Sequence, residues 1–296
     1  MDWDKLKAFH AAAEAGSLTS AADQLERSQS AISRQIAALE AQLGVALFHR
    51  HARGLQLTEQ GRILQQTTHD IATRVAIAEA TLLDSREKPQ GELRITAPVA
   101  MGAAWLVPRL SNFLNAYPDI RLQLILDDGE MDLTSLESEA AVRLWRPTRA
   151  DLVIRKLMIV RQHLYASPEY LRRHTAPATL EELDDHLLIV YGVHGSTPLK
   201  VLDWAVWAGE EGDAKREPSL RINTVLGVRR AIEAGIGIGS LPDYLVHGSE
   251  NFVRVLPQLS GPEIEVYYVY PEELRGSRRI VAFGEFLQRE VSRSSF

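Results

Sequence analysis

The sequence contains no cysteine. That absence excludes disulfide scaffolds, thiolate metal sites, cysteine nucleophiles and thiol redox sensing. Long apolar runs are missing too: nothing approaches the roughly 20 residues needed to span a bilayer, so no membrane partner is expected. The opening residues, Met1-Asp2-Trp3-Asp4-Lys5, are acidic and amphipathic, unlike a secretory leader. The expected location is the cytoplasm. Catalytic signatures are also lacking, since the histidines are scattered and no Gly-x-Ser-x-Gly elbow occurs. Asp127-Asp128 reads as a strand-end loop. The chain is therefore not expected to be an enzyme or to need a cofactor or metal.

What is present is a chain of 296 residues, 45% hydrophobic and 24% charged, long enough for two or three cores. Its net charge of −6 is unevenly spread. Between positions 27 and 62, five arginines stand against two glutamates, a local +3 that leaves −9 to the remainder. A basic segment on an acidic protein is compatible with one DNA-facing surface, although a solvated face can look the same.

Leu6, Phe9, Ala12 and Ala13 predict a first helix that stops near Gly16. Ser17 or Thr19 can cap a short second helix, and Ser28 can cap a third. In the third, Ile32, Ile36, Leu39 and Leu43 fall within about 60° of one another and predict one narrow buried stripe. The opposite face carries Ser30, Ser33, Arg34, Ala37 and Ala41 in place of the usual Glu–Lys pairs. Small side chains let a helix approach another surface closely. Gln29, Ser30, Ser33 and Arg34 occupy its first turns, the part of a recognition helix that reaches base edges in the major groove. The competing reading is the surface of a three-helix bundle that never meets DNA. Residues 47–58 then read as two short strands around a Gly-containing turn, a basic wing whose His51 and Arg53 can reach phosphate or the minor groove. His49 and His51 alternate along a strand with no further ligand near them in sequence, so a solvated wing is preferred to a metal site.

Residues Phe9 to Ala22, Ser28 to Ile36, Leu39-Glu40, Gly44 to Phe48 and Leu57-Thr58-Glu59-Gln60-Gly61 follow one another at the spacing of a known signature. Through them the chain resembles the LysR-type transcriptional regulators of bacteria. The resemblance implies a sequence-specific DNA-binding regulator controlled by a small-molecule effector. Its DNA-facing set is expected to be Ser17, Thr19, Ser28, Gln29, Ser30, Ser33, Arg34, Arg50, His51 and Arg53. Many members carry proline where this chain has Ser30.

From Thr58 to about Glu87 there is no proline, and the only glycine, Gly61, lies in the first turn. Leu64, Thr68, Ile71, Val75, Ala78 and Leu82 keep the 4-3-4-3-4 spacing of a coiled-coil seam. The alternative is a helix packed on its own domain. Dimerisation is preferred, and the resemblance implies it, with paired linker helices holding two winged domains on successive half-sites. The expected partners are double-stranded DNA and a second copy of the chain, as homodimer or homotetramer.

Beyond Lys88-Pro89-Gln90-Gly91, strand-like and helix-like segments alternate, predicting a largely parallel α/β arrangement. A last strand pair is expected between about Phe252 and Tyr270, followed by a terminal helix from Arg278. The run Gly235-Ile236-Gly237-Ile238-Gly239 follows a helix and leads into a strand, the reverse of a nucleotide loop, and reads as a helix end entering a buried strand. The expected fold class is multi-domain α/β: a winged helix-turn-helix, a linker helix, and an effector domain that the resemblance implies is two-lobed and periplasmic-binding-protein-like. The expected boundaries are 1–58, 59–88 and 89–296, with lobe I about 91–160 plus 266–296 and lobe II about 161–265. The resemblance implies an effector site at Pro98, Val99, Ala100, Met101, Arg143, Trp145, Asn223 and Thr224. Many members carry Ser or Thr near Val99 and Ala100 to hold a carboxylate, and the apolar residues here argue against a simple carboxylate. Trp204, Trp207 and His194 are weighed as pocket or core. A competing class is a small-molecule binding protein whose N-terminal bundle makes protein contacts.

Overall fold

The computed structural model describes residues 2–51, 54–83, 88–128, 138–192, 198–209 and 216–294. The chain divides into two compact units, Met1–Leu83 and, in two stretches, Asp84–Leu133 with Glu137–Phe296. Among the described residues, no helix is long and apolar enough to cross a membrane.

In the first unit, α1 (Trp3–Ala15) starts at Asp2, whose carboxylate accepts the Asp4 N–H at 3.1 Å, and ends at Gly16 with φ 59°. Glycine adopts that left-handed conformation without the Cβ penalty. The cap of α2 (Leu18–Gln24) is Ser17, which accepts from Ser20. Ser28 caps α3 (Gln29–Leu43) by accepting the Ala31 N–H at 3.2 Å. The predicted stripe holds at Ile32, Ile36 and Leu39, which are buried, whereas Leu43, in the last turn, is 37% exposed. These residues close a core with Leu6, Phe9, Leu47 and Phe48, in which the Phe9 and Phe48 rings lie 5.2 Å apart. The wing is the antiparallel pair β1 (Phe48–His51) and β2 (Gly54–Leu57). A single long helix, α4 (Glu59–Leu83), completes the unit.

Glu40 and Thr58 tie these elements together. The Glu40 carboxylate accepts the N–H groups of Leu47 and Phe48 at 2.7 and 3.3 Å, setting the start of β1. The Thr58 hydroxyl donates to the Ala46 carbonyl and accepts the Gly61 N–H, at 2.8 and 2.9 Å, so one side chain both caps α4 and fastens it to the turn after α3.

Among its described residues the second unit holds two five-stranded sheets. One takes β3 (Gly91–Ala97), β4 (Ile120–Leu126), β5 (Ala140–Arg143), β6 (Leu152–Val160) and β12 (Ile264–Pro271), in the order β4-β3-β5-β12-β6. The other takes β7 (Gln162–Ala166), β8 (Leu188–Tyr191), β9 (Leu220–Ile222), β10 (Ile238–Pro242) and β11 (Val253–Val255), in the order β11-β7-β10-β8-β9. Between β3 and β4 lies a helical run: α5 (Val99–Met101), a π-turn at Gly102–Leu106, a 3-10 turn at Val107–Arg109, and α6 (Leu110–Ala116). Pro108 interrupts its regularity, because proline has no N–H for the preceding turn. The remaining α-helices among the described residues are α7 (Pro168–Arg173), α8 (Val225–Glu233) and α9 (Arg278–Arg293). On α9, Phe283 and Phe286 pack against Phe113 of α6 with ring separations of 5.0 and 5.2 Å.

Two expectations change. The sheets are mixed, because β7 and β12 pair antiparallel with all their neighbours. The chain passes straight from β6 to β7 and returns from β11 to β12 without a helical crossover, so these strands escape the rule that keeps helix-connected strands parallel. For the same reason Phe252 to Tyr270 is not a strand pair: β11 belongs to one sheet and β12 to the other. The glycine run does end α8 and enter β10. Gly235 has φ 72°, and a Cβ at Gly237 would stand 2.1 Å from the Leu187 carbonyl oxygen, so glycine there permits close approach.

Candidate nucleic-acid interface and ligand cleft

The N-terminal turns of α3 present an unusual surface. Ser28, Gln29, Ser30 and Arg34 are exposed and Ser33 is half-buried, with no acidic residue among them. Capping orders the start of this helix: the Ser28 hydroxyl lies 3.1 Å from that of Ser30, and Arg34 Nε donates to the Ser30 carbonyl at 3.2 Å. The arginine is thus held along its own helix and, among the described residues, makes no ion pair. Ser17 is half-buried at the start of α2, and Thr19, two residues on, is exposed. Arg50 and His51 lie on β1 by their backbone; their side chains, and Arg53 altogether, lie outside the described residues.

The seam of α4 divides. Thr68 is buried and Leu64 packs against the first unit's own core, so its first half is already engaged within one chain. Val75, 39% exposed, and Ala78 remain uncovered. Leu82 lies outside the described side chains.

In the second unit a narrow cleft runs between the two sheets. Pro98, Ala100, Asp128 and Leu144 line it from one lobe, Leu202, Val225, Pro242 and Tyr244 from the other, and Val160 and Ile264 at the crossings. Pro98 and Ala100 from the expected set thus reach the lining. Val99 adjoins it, donating its N–H to Asp128 Oδ1 at 2.9 Å. Met101 is buried. Arg143 is buried too, one Nη donating to the Thr96 hydroxyl at 2.9 Å, and its neighbour Leu144 takes the place in the cleft. Alternation along a strand sends consecutive side chains to opposite faces. Trp145 is half-buried and Asn223 exposed, and neither is on the lining. Thr224 precedes α8 without a side-chain cap bond, while Val225 after it lines the cleft. Trp204 donates to Ser240 at 2.7 Å and packs on the second lobe's core, Trp207 is 51% exposed, and His194 lies outside the described residues. The expected set also lacks Asp128, Leu144, Val225 and Tyr244, which line the cleft; for Asp128, expected in a strand-end loop, an acid just after a strand was the available signal.

The cleft region is acidic in character. Burial pushes the Asp128 carboxyl above the usual range, against the pull of the Val99 N–H, and neighbouring Asp127 adds to the rise. Tyr244 is raised by burial and then by Asp128. Tyr191 is pushed up to about 12 by burial and by Asp128 and Asp203. Asp203 itself is pushed from 3.8 to about 6, chiefly by burial, despite the nearby Arg221. The folded chain therefore holds this proton more tightly than the unfolded chain. Its ionisation lowers stability progressively as pH rises through that window, and the penalty persists above it. We expect Asp203→Asn to raise Tm by a few degrees near pH 8 and to leave it unchanged near pH 4, the effect moderated by partial exposure. Equal shifts at both pH values would show that ionisation of Asp203 is not the cause.

Comparison with known proteins places both units. Residues 3–62 match the family described as bacterial regulatory helix-turn-helix protein, lysR family, and residues 86–292 match the LysR substrate binding domain. The chain is 31% identical over 292 residues to the transcriptional regulator CrgA of Neisseria meningitidis, covering 97% of this chain and 96% of that one. It is 31% identical over 304 residues to the regulator PtxR of Pseudomonas aeruginosa, covering 100% and 95%. Among solved structures it is similar to the full-length Vibrio cholerae virulence activator AphB, with a TM-score of 0.64, 28% identity and coverage of 97% and 98%.

Proposed function

The chain belongs to the LysR-type transcriptional regulators, with a helix-turn-helix DNA-binding domain and an effector-binding domain, and from that premise we propose how each part works. The start of α3 enters the major groove, where Gln29 and Arg34 read base edges and Ser28, Ser30 and Ser33 bond phosphate or bases. Ser17 and Thr19 contact the backbone beside it, and the wing residues Arg50, His51 and Arg53 reach the neighbouring phosphates or minor groove. The observation that carries this reading is the capped, acid-free, small-residue surface of α3 within the winged domain.

A regulator of this kind works in the cytoplasm as a homo-oligomer. The uncovered second half of α4, at Val75 and Ala78, is the surface that a second linker helix would cover, placing two winged domains on a dyad-related site. The functional boundaries proposed are residues 1–58 for DNA, 59–88 for pairing and 89–296 for effector sensing. The test is genome-wide crosslinking of the tagged protein. Discrete peaks sharing a dyad-related motif support the reading, and a flat profile sinks it.

The effector proposed for the cleft is neutral or cationic with an apolar body. Asp128 already takes the Val99 N–H that a ligand carboxylate would seek, and its own charge repels an anion. The pocket lining is otherwise largely apolar. We expect simple mono- and dicarboxylates at millimolar concentration to leave Tm and operator affinity unchanged. A Tm rise of about 5 °C with benzoate or succinate would overturn this assignment.

A further inference from the structure

We infer that the DNA-binding unit carries a site for a divalent transition-metal cation of the zinc type, formed by His10 and Glu14 of α1 with His69 of α4. One ligand atom from each of these three side chains lies within 4.8 Å of the others. His10 and Glu14 are four residues apart on one helix and so share a face. Across from them, His69 Nδ1 stands 4.0 Å from Glu14 Oε1, and the two imidazole rings are 5.8 Å apart.

A second observation points to a ligand. His10 Nδ1 is buried and has no hydrogen-bond partner. A buried polar atom without a partner is costly, and a bound cation would satisfy it. Gln65 Nε2 donates to Glu14 Oε1 at 3.0 Å, the kind of outer contact that orients a ligating carboxylate.

Two imidazoles and a carboxylate select Zn(II), Co(II), Ni(II) or Cu(II) over Mg(II) and Ca(II), which prefer all-oxygen sites. Ligand atoms on a tetrahedral zinc stand about 3.4 Å apart, so binding draws the three side chains together by roughly 1 Å. With three protein ligands, the fourth position is left for water. Because α1 belongs to the helical bundle and α4 is the long linker helix, the ion would clip one to the other within the same unit. With no cysteine anywhere in the chain, no thiolate site competes.

The test uses the untagged, full-length protein, stripped with chelator and titrated with Zn(II) against a competing indicator dye. We expect one ion per protomer at micromolar affinity or tighter. His69→Ala and Glu14→Gln should each weaken binding at least about tenfold with the far-UV circular dichroism unchanged. His174→Ala, in the second unit, should leave it intact. Failure to bind zinc at micromolar concentration, or binding that survives His69→Ala, overturns the assignment. Should the variants misfold, Co(II) added to the wild-type protein decides: ligand-field bands of a low-coordinate nitrogen–oxygen site support it, and an unchanged aqueous cobalt spectrum refutes it.

Discussion

Arg34→Ala is expected to remove most of the specific affinity of this regulator for its operator while leaving the fold unchanged. The residue is exposed and, among the described residues, its one hydrogen bond runs from Nε to the Ser30 carbonyl of its own helix. It stabilises little in the free protein, so its loss should not move Tm measurably. On DNA, an arginine bonded to a guanine edge or a phosphate is worth about 1–3 kcal/mol. Two copies on a dyad-related site double that, so operator affinity should fall by a factor between about 30 and about 2 × 10⁴ at fixed salt. Fluorescence anisotropy with a labelled operator measures it. Gln42→Ala, near the far end of the same helix, provides the control and should change affinity less than twofold. Should Arg34→Ala bind within twofold of wild type, α3 does not read the groove as proposed. A loss equal on operator and random DNA, with a shallower salt slope, would assign Arg34 to phosphate rather than to a base.

Gly61→Ala is expected to destabilise the DNA-binding unit by about 3 kcal/mol, an overpacking cost at the upper end of its usual range. The residue is buried in the first turn of α4, and an added Cβ would lie 2.1 Å from the backbone carbonyl oxygen of Leu47. That oxygen cannot rotate away as a side chain would, since it also accepts the Thr58 N–H at 3.0 Å. To make room, α4 must separate from the turn after α3, which breaks the Thr58 hydroxyl bonds to Ala46 and Gly61 as well. Since α3 and the wing meet at this junction, operator binding should fall with stability. Chemical denaturation of the full chain, followed by its far-UV signal, should show an earlier first transition and an unchanged later one. An unshifted first transition would mean that the junction yields more easily than its geometry indicates. Alanine is normally the better helix former, so a loss here can only come from the tertiary contact.

Much of the first unit was legible because its determinants are local. Ser17 and Ser28 before apolar periodicity mark helix starts, Gly16 marks a helix end, and the Ile32–Ile36–Leu39 stripe specifies which face turns inward. Each depends on residues a few positions apart, as capping and periodicity do. The succession of Leu39-Glu40, Gly44 to Phe48 and Leu57 to Gly61 was also visible, but its reason was not. Glu40 caps the start of β1, and Gly61 must admit a carbonyl oxygen from 14 residues earlier in the chain.

In the second unit, the sequence pattern placed the terminal helix and the strand after the glycine run but not β6, β7 or β8. It could not tell that β7 and β12 run against their neighbours, because strand direction depends on which sheet the chain enters next. The cleft lining differs from the expected set by single positions for a related reason. Strand alternation sends Arg143 inward to Thr96 and Leu144 to the lining, and Asp128 reaches Val99 from across 29 residues. The His10, Glu14 and His69 cluster has the same character. Only its first two members sit at helical spacing, and the third arrives 55 residues later on another helix. Local preference and hydrophobic period therefore determined the helices of the first unit, their caps and the helix proposed to face DNA. Packing between distant segments alone decided sheet direction, the lining of the cleft, the need for glycine at position 61 and the meeting of the two histidines, because those depend on distances that no short stretch of chain encodes.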